Sequence, residues 1–199
     1  DSEHENIVRN CHINNAFFSA LEINNSTVQV IGNYIYNNAG STAGAALDLT
    51  NVDDEEVLIH NNIFAHNTNN GMVGTLSFTS STPIFTNNIV VYNSGTTGGA
   101  VSLKSSSDVN ILNNTFADNS GSNGTFFIFS SNPNFKNCII YDTVENIFNE
   151  ISGEAVIVYT CISGGHSGLG NIDEDPMFAL PSSEFWALWY LQENSPCID

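Results

Sequence analysis

The chain has 199 residues, 41% of them apolar, and sets 3 Lys+Arg against 21 Asp+Glu for a net charge of −18. That length suits one domain with a core of its own, and no apolar run approaches the roughly 18 residues of a membrane span. The scarcity of cations argues against nucleic acid and anionic membrane surfaces as partners, because both require clustered positive charge.

The first five residues, Asp1-Ser2-Glu3-His4-Glu5, are polar and acidic and carry no leader-like apolar segment. Residues 5–10 read as a strand whose preceding strand is missing, so a longer parent polypeptide is expected. From there a six-residue phrase recurs: it starts on Asn, carries a central apolar residue and ends on Asn or Asp. Its anchors are Asn10, Asn33, Asn62, Asn88, Asn114, Asn137 and a degenerate Thr160, in steps of 23, 29, 26, 26, 23 and 23 residues. A period of that size marks a stacked array, in which each repeat buries its inner face only against its neighbours.

Each repeat divides into three short strands. First strands fall at residues 45–49, 75–78, 100–104 and 126–129, and second strands at 28–31, 57–59, 84–85 and 108–112. Third strands follow each Asn anchor. Loops at 39–43, 68–72, 94–97 and 120–123 absorb the length differences. The expected fold is all-β: a single-stranded right-handed parallel β-helix of about seven coils. Inward columns are expected from Val30, Ile59, Phe85 and Ile111, and from Ile35, Phe64, Val90, Phe116, Ile139 and Ile162. Asn at the bends has a physical cause, since it tolerates the left-handed backbone region and its amides hydrogen-bond along a stack.

The segment after the coils carries the more specific pattern. Thr160-Cys161-Ile162-Ser163-Gly164-Gly165 leads to Asn171-Ile172-Asp173-Glu174-Asp175-Pro176-Met177-Phe178, then Leu191-Gln192 and Ser195-Pro196-Cys197-Ile198-Asp199. Coils and tail together resemble right-handed parallel β-helix repeat proteins of bacterial surfaces and secretions. The resemblance covers essentially the whole chain. It implies export to the cell surface or outside and frequent contact with polysaccharide, but no single activity. Coils are expected over residues 1–163 and a capping tail over 164–199.

Several residue groups are candidates for chemistry. Aligned first strands place Glu22, Asp48, Ser77, Ser102 and Ile128 in one outward column, with Lys104 one outward step further on. Asp48 and Lys104, two coils and about 10 Å apart, supply an acid and a base for a lyase acting on an acidic glycan. Glu22 and Asp48, about 5 Å apart on adjacent coils, resemble the paired carboxylates of a hydrolase. Ser77, Ser102, Trp186 and Trp189 are candidate sugar contacts. Asp53, Asp54 and Glu55, and separately Asp173 and Asp175, are candidate Ca²⁺ ligands. The same acids equally suit a solvated surface. His60 and His66 flank Asn62 but belong to different strands. Among the cysteines, Cys138 and Cys161 are expected at one position of adjacent repeats, as a thiol stack in preference to a bond. Two functions remain open: a non-catalytic surface module that is structural, adhesive or carbohydrate-binding, and a polysaccharide lyase or hydrolase, Ca²⁺-assisted or not. No cofactor is required by the first.

Overall fold

The computed structural model describes residues 6–52, 57–179 and 189–198. The chain winds as a parallel β-helix of six full turns and the beginning of a seventh, and every strand pairing between turns is parallel. One sheet stacks the strands from Asn6–Arg9 to Val156–Val158, seven in all. A second stacks seven from His12–Asn14 to Cys161–Ile162, and a third stacks six from Leu21–Asn24 to Phe148–Ile151. A fourth, which the three-strand reading lacks, joins the two-residue strands Ala39–Gly40, Thr68–Asn69, Ser94–Gly95 and Ser120–Gly121. Among the described residues there is no α-helix.

Alternation along each strand sends every second side chain inward. Val8, Val30, Ile59, Phe85, Ile111, Phe135 and Ile157 are in register in the first sheet. In the second sheet the column is Ile13, Ile35, Phe64, Val90, Phe116, Ile140 and Ile162. Ile140 therefore replaces the expected Ile139, which points outward between Thr115 and Cys161. Phe64, Phe85 and Phe116 stack along the axis at centroid spacings of 6.2 and 6.4 Å.

At three corners of each turn a left-handed residue precedes a residue that turns inward, in most turns one that hydrogen-bonds. At the first corner, Asn10, Gly32, Asn61, Asn87, Asn113, Asn137 and Tyr159 have φ between 50° and 65°. The next residue turns inward: Asn33, Asn62, Asn88 and Asn114 form a buried ladder. Asn33, Asn62 and Asn88 each donate the backbone N–H and the Nδ2 to the Oδ1 of the Asn one turn on, at 2.8–3.1 Å. The anchors Asn10 and Asn137 thus belong to the bend column, and Cys11 and Cys138 hold their places in the ladder. Cys138 consequently aligns with Thr160, whose Oγ1 accepts from its N–H. Cys161 aligns with Ile139, so the expected Cys138–Cys161 stack is replaced by a one-residue offset.

A second ladder, Asn38–Asn67–Asn93–Asn119, follows the same donation pattern and ends on buried Asp142. At the third corner serine hydroxyls take this role: Val52, Ser81 and Ser107 donate their N–H groups to the Oγ of Ser81, Ser107 and Ser131. These ladders satisfy backbone donors that the bends withdraw from the sheets.

The tail begins as one more rung. Tyr159 N–H donates to Leu169 O, Thr160 N–H to Asn171 Oδ1, and Ile162 N–H to Ile172 O. Asn171 Nδ2 reaches Ile157 O at 2.9 Å, so this Asn continues the first ladder across the last turn. Further on, Trp189 packs on the outer face of the second sheet against Ala65, Val91 and Ala117.

Candidate functional site

The outer face of the third sheet carries five of the sequence candidates, Glu22, Asp48, Ser77, Ser102 and Lys104. Register aligns Glu22, Asp48, Ser77, Ser102, Phe127 and Asn149. Phe127 stands where Ile128 was expected; Ile128 is buried inside, one residue along. Ser77 and Ser102 do point outward, but both are buried because the loops entering each strand lie over them. A Cβ on Gly44 would lie 2.1 Å from Leu47 O, and one on Gly74 would lie 2.6 Å from Ser102 N. Only glycine permits so close an approach of loop to strand. Ser102 Oγ has no hydrogen-bond partner under this cover.

Asp48 and Lys104 come within electrostatic reach of each other but have other partners. Asp48 Oδ1 accepts from Gly44 N–H at 3.0 Å, and Oδ2 from Thr50 Oγ1 at 3.3 Å, so this carboxylate clamps the loop. Lys104 Nζ donates to Met72 O at 2.9 Å and lies 5.8 Å from the Phe127 ring centroid. Burial pushes the Lys104 ammonium below its ordinary range, with the Asp48 charge pulling it back up. Glu22 is exposed beside Asp48.

The other candidates are dispersed. Asp53, Asp54, Glu55 and Trp186 lie outside the described residues. Asp173 Oδ1 accepts from Gly164 N–H at 3.0 Å and Asp175 Oδ1 from Met177 N–H at 2.8 Å, so each shapes a turn. Among the described residues, no three His, Cys, Asp or Glu side chains gather to hold a metal. Trp189 is buried, with its ring 5.4 Å from Tyr92 and 5.0 Å from Phe178. His60 Nδ1 lies 3.4 Å from Asn87 Nδ2, while His66 stacks on Tyr92.

A different face gathers aromatic side chains. On the second sheet, Tyr34 and Tyr36 both point outward from one strand and stack at 4.2 Å with an interplanar angle of 19°. The His12 ring, exposed on the preceding turn, meets them edge-on at 5.7 and 6.5 Å. Asn14 Nδ2 donates to Tyr36 OH at 3.1 Å, fixing that ring. Burial, then the neighbouring Tyr36, push the Tyr34 phenol above its usual range, so it stays a neutral hydroxyl. Beside the rings is a hollow of about 290 Å³ bordered by Asn10, His12, Asn33, Tyr34 and Asn61. These rings are absent from the sequence candidates; the signal for them is the Tyr-x-Tyr spacing, which puts both on one side of a strand.

The coil count, parallel register and inward columns agree with one family. The family described as "right handed beta helix region" matches residues 1–121 and 40–163. The chain belongs to the right-handed β-helix family. No curated protein and no solved structure matches it. Membership of this β-helix family fixes the scaffold; the chemistry rests on the surfaces described above. No helix among the described residues is long and apolar enough to cross a membrane.

Proposed function

We propose that this β-helix is a non-catalytic glycan-binding module of an extracellular or cell-surface protein, and that it holds sugar on the His12–Tyr34–Tyr36 strip. The observation that carries this reading is the ring array fixed on a sheet beside an Asn-lined hollow. Aromatic faces pack against the C–H faces of pyranose rings, while nearby amides suit hydroxyl groups. With a net charge of −18, the ligand best matched is a neutral oligosaccharide, since a polyuronate would be repelled unless a divalent cation bridged it. The resemblance of the tail to those of exported proteins supports the location.

The catalytic alternative has weaker support. Both Asp48 oxygens and Lys104 Nζ already have hydrogen-bond partners, in the loops at Gly44 and Met72 and in the strand at Thr50. A glycan array followed by calorimetry tests the binding reading. A neutral glycan should bind, and Tyr34→Ala with Tyr36→Ala should weaken it by about tenfold or more, the equivalent of one or two ring contacts. Absence of any glycan ligand, or an unchanged affinity in the double variant, would refute the proposal. Pectate and alginate, each with and without Ca²⁺, form the enzymatic arm. An absorbance rise from unsaturated product would move the function to the Asp48–Lys104 face.

A further inference from the structure

We propose that Cys161 and Cys197 form a cross-link site, at which a disulfide ties the end of the tail to the last turn of the β-helix. Cys161 opens the final strand, Cys161–Ile162, and is buried. Its N–H donates to Cys138 O at 3.0 Å, and its Sγ lies 3.2 Å from Glu174 O. Cys197 arrives from far along the chain in a turn held by three hydrogen bonds. Ser195 Oγ donates to Pro176 O at 2.6 Å, Cys197 N–H donates to Ser195 Oγ at 3.1 Å, and Ile198 N–H donates to Ser195 O at 3.2 Å. That turn brings Cys197 to the cavity beside Cys161, where the two thiols, both free, lie within electrostatic reach of each other. That cavity, of about 740 Å³, leaves room for the two sulfurs to approach bonding distance.

The third nearby thiol is differently placed. Cys138 Sγ is directed at Ile111 O and Lys136 O, each at 3.4 Å, in the position an Asn holds in other turns. Its role belongs to the ladder. By contrast, no ladder or inward column uses the thiol of Cys161 or Cys197.

The accessible partner reacts first. Cys197 is half-buried, whereas Cys161 is buried and its thiol is pushed up to about 12, by burial first and then by Cys197 beside it. The Cys197 thiolate attacks a low-molecular-weight disulfide and releases one thiol, leaving a mixed disulfide. Cys161 then loses its proton to solvent and attacks the Cys197 sulfur, releasing the second thiol. The protein gives up two electrons and two protons, and the reagent's S–S bond becomes two thiols.

The native protein is incubated with oxidised glutathione, quenched in acid, denatured and alkylated. The expected peptide map links Cys161 to Cys197, a loss of about 2 Da across the linked pair, with Cys138 alkylated; Cys11, which is exposed, carries either the alkyl group or glutathione. A link through Cys138, a glutathione adduct left unresolved on Cys197, or four alkylated cysteines would each overturn the proposal. Cys161→Ser should stop the reaction at the adduct on Cys197, and Cys138→Ser should leave the cross-link intact. The map of the unaltered chain decides the matter even where a variant fails to fold.

Discussion

Replacing Asp142 with Asn tests how the second ladder ends. Asp142 is buried, with Oδ1 accepting from Asn119 N–H at 2.6 Å and Nδ2 at 3.3 Å, and Oδ2 accepting from Thr125 Oγ1 at 2.8 Å. Each earlier rung passes its amide donors forward, so the last rung requires only acceptors, which a carboxylate supplies. Burial nevertheless penalises the charge more than these hydrogen bonds relieve it, and the carboxyl is raised from 3.8 to about 6. A carboxyl raised on folding contributes stability below its unfolded value of 3.8, and loses that contribution as pH rises through 6. The shift is about 2 units, or about 3 kcal/mol as an upper value at 1.36 kcal/mol per unit. Asn has no such dependence and can keep the geometry, because the Thr125 hydroxyl can turn to accept from the new Nδ2. Asp142→Asn should therefore match the parent near pH 4 and exceed it by up to about 3 kcal/mol near pH 8. The assay is guanidinium unfolding at several pH values, followed by far-ultraviolet dichroism. Taking the difference between the two chains largely cancels acids remote from the site. A stability difference that stays flat from pH 4 to 8, or that favours Asp at high pH, would refute the reasoning.

Other outcomes follow from the same ladders. Asn88→Ala strips the acceptor from Asn62 N–H and Nδ2 and a donor from Ile59 O, all buried. It should cost about 3 kcal/mol or more in chemical denaturation, since each stranded group costs about 1–3 kcal/mol. Cys138→Asn should restore an acceptor above Asn114 and raise the unfolding midpoint by the equivalent of about 1 kcal/mol. In the parent chain the Cys138 thiol, pushed up to about 11 chiefly by burial, should resist alkylation at neutral pH until the protein is unfolded. Asn113→Val forces a β-branched residue to φ 55° and should cost about 1–2 kcal/mol. Asn113→Gly should stay close to the parent in the same chemical denaturation.

The Asn repeat announced a stack, and its spacing located most strands of the three larger sheets, because bends and ladders demand Asn at fixed places in each turn; the two-residue strands of the fourth sheet fall where loops were expected. The repeat was ambiguous by one residue where doublets occur. In Asn61-Asn62, Asn87-Asn88 and Asn113-Asn114 both positions favour Asn, the first for its left-handed backbone and the second for its inward amide. At Asn10-Cys11 and Asn137-Cys138 only the bend keeps Asn, so an anchor placed on Asn slips out of the ladder. The same slip moved Ile139 into the column that Ile140 fills.

Strand alternation also told which way Ser77, Ser102 and Asp48 point, but direction is not exposure. Whether an outward side chain meets water depends on loops crossing the strand, and Gly44 and Gly74 bring those loops down onto the backbone. Local sequence thus determined the winding, because a coil's inward period and bend chemistry are set within about two dozen residues. The meeting of Cys161 and Cys197 at one cavity, the burial of Trp189 on the second sheet and the covering of the serines were decided only in three dimensions. They join segments whose separation along the chain carries no periodic signal, and whose meeting depends on how the loops and the tail fold back over a completed stack.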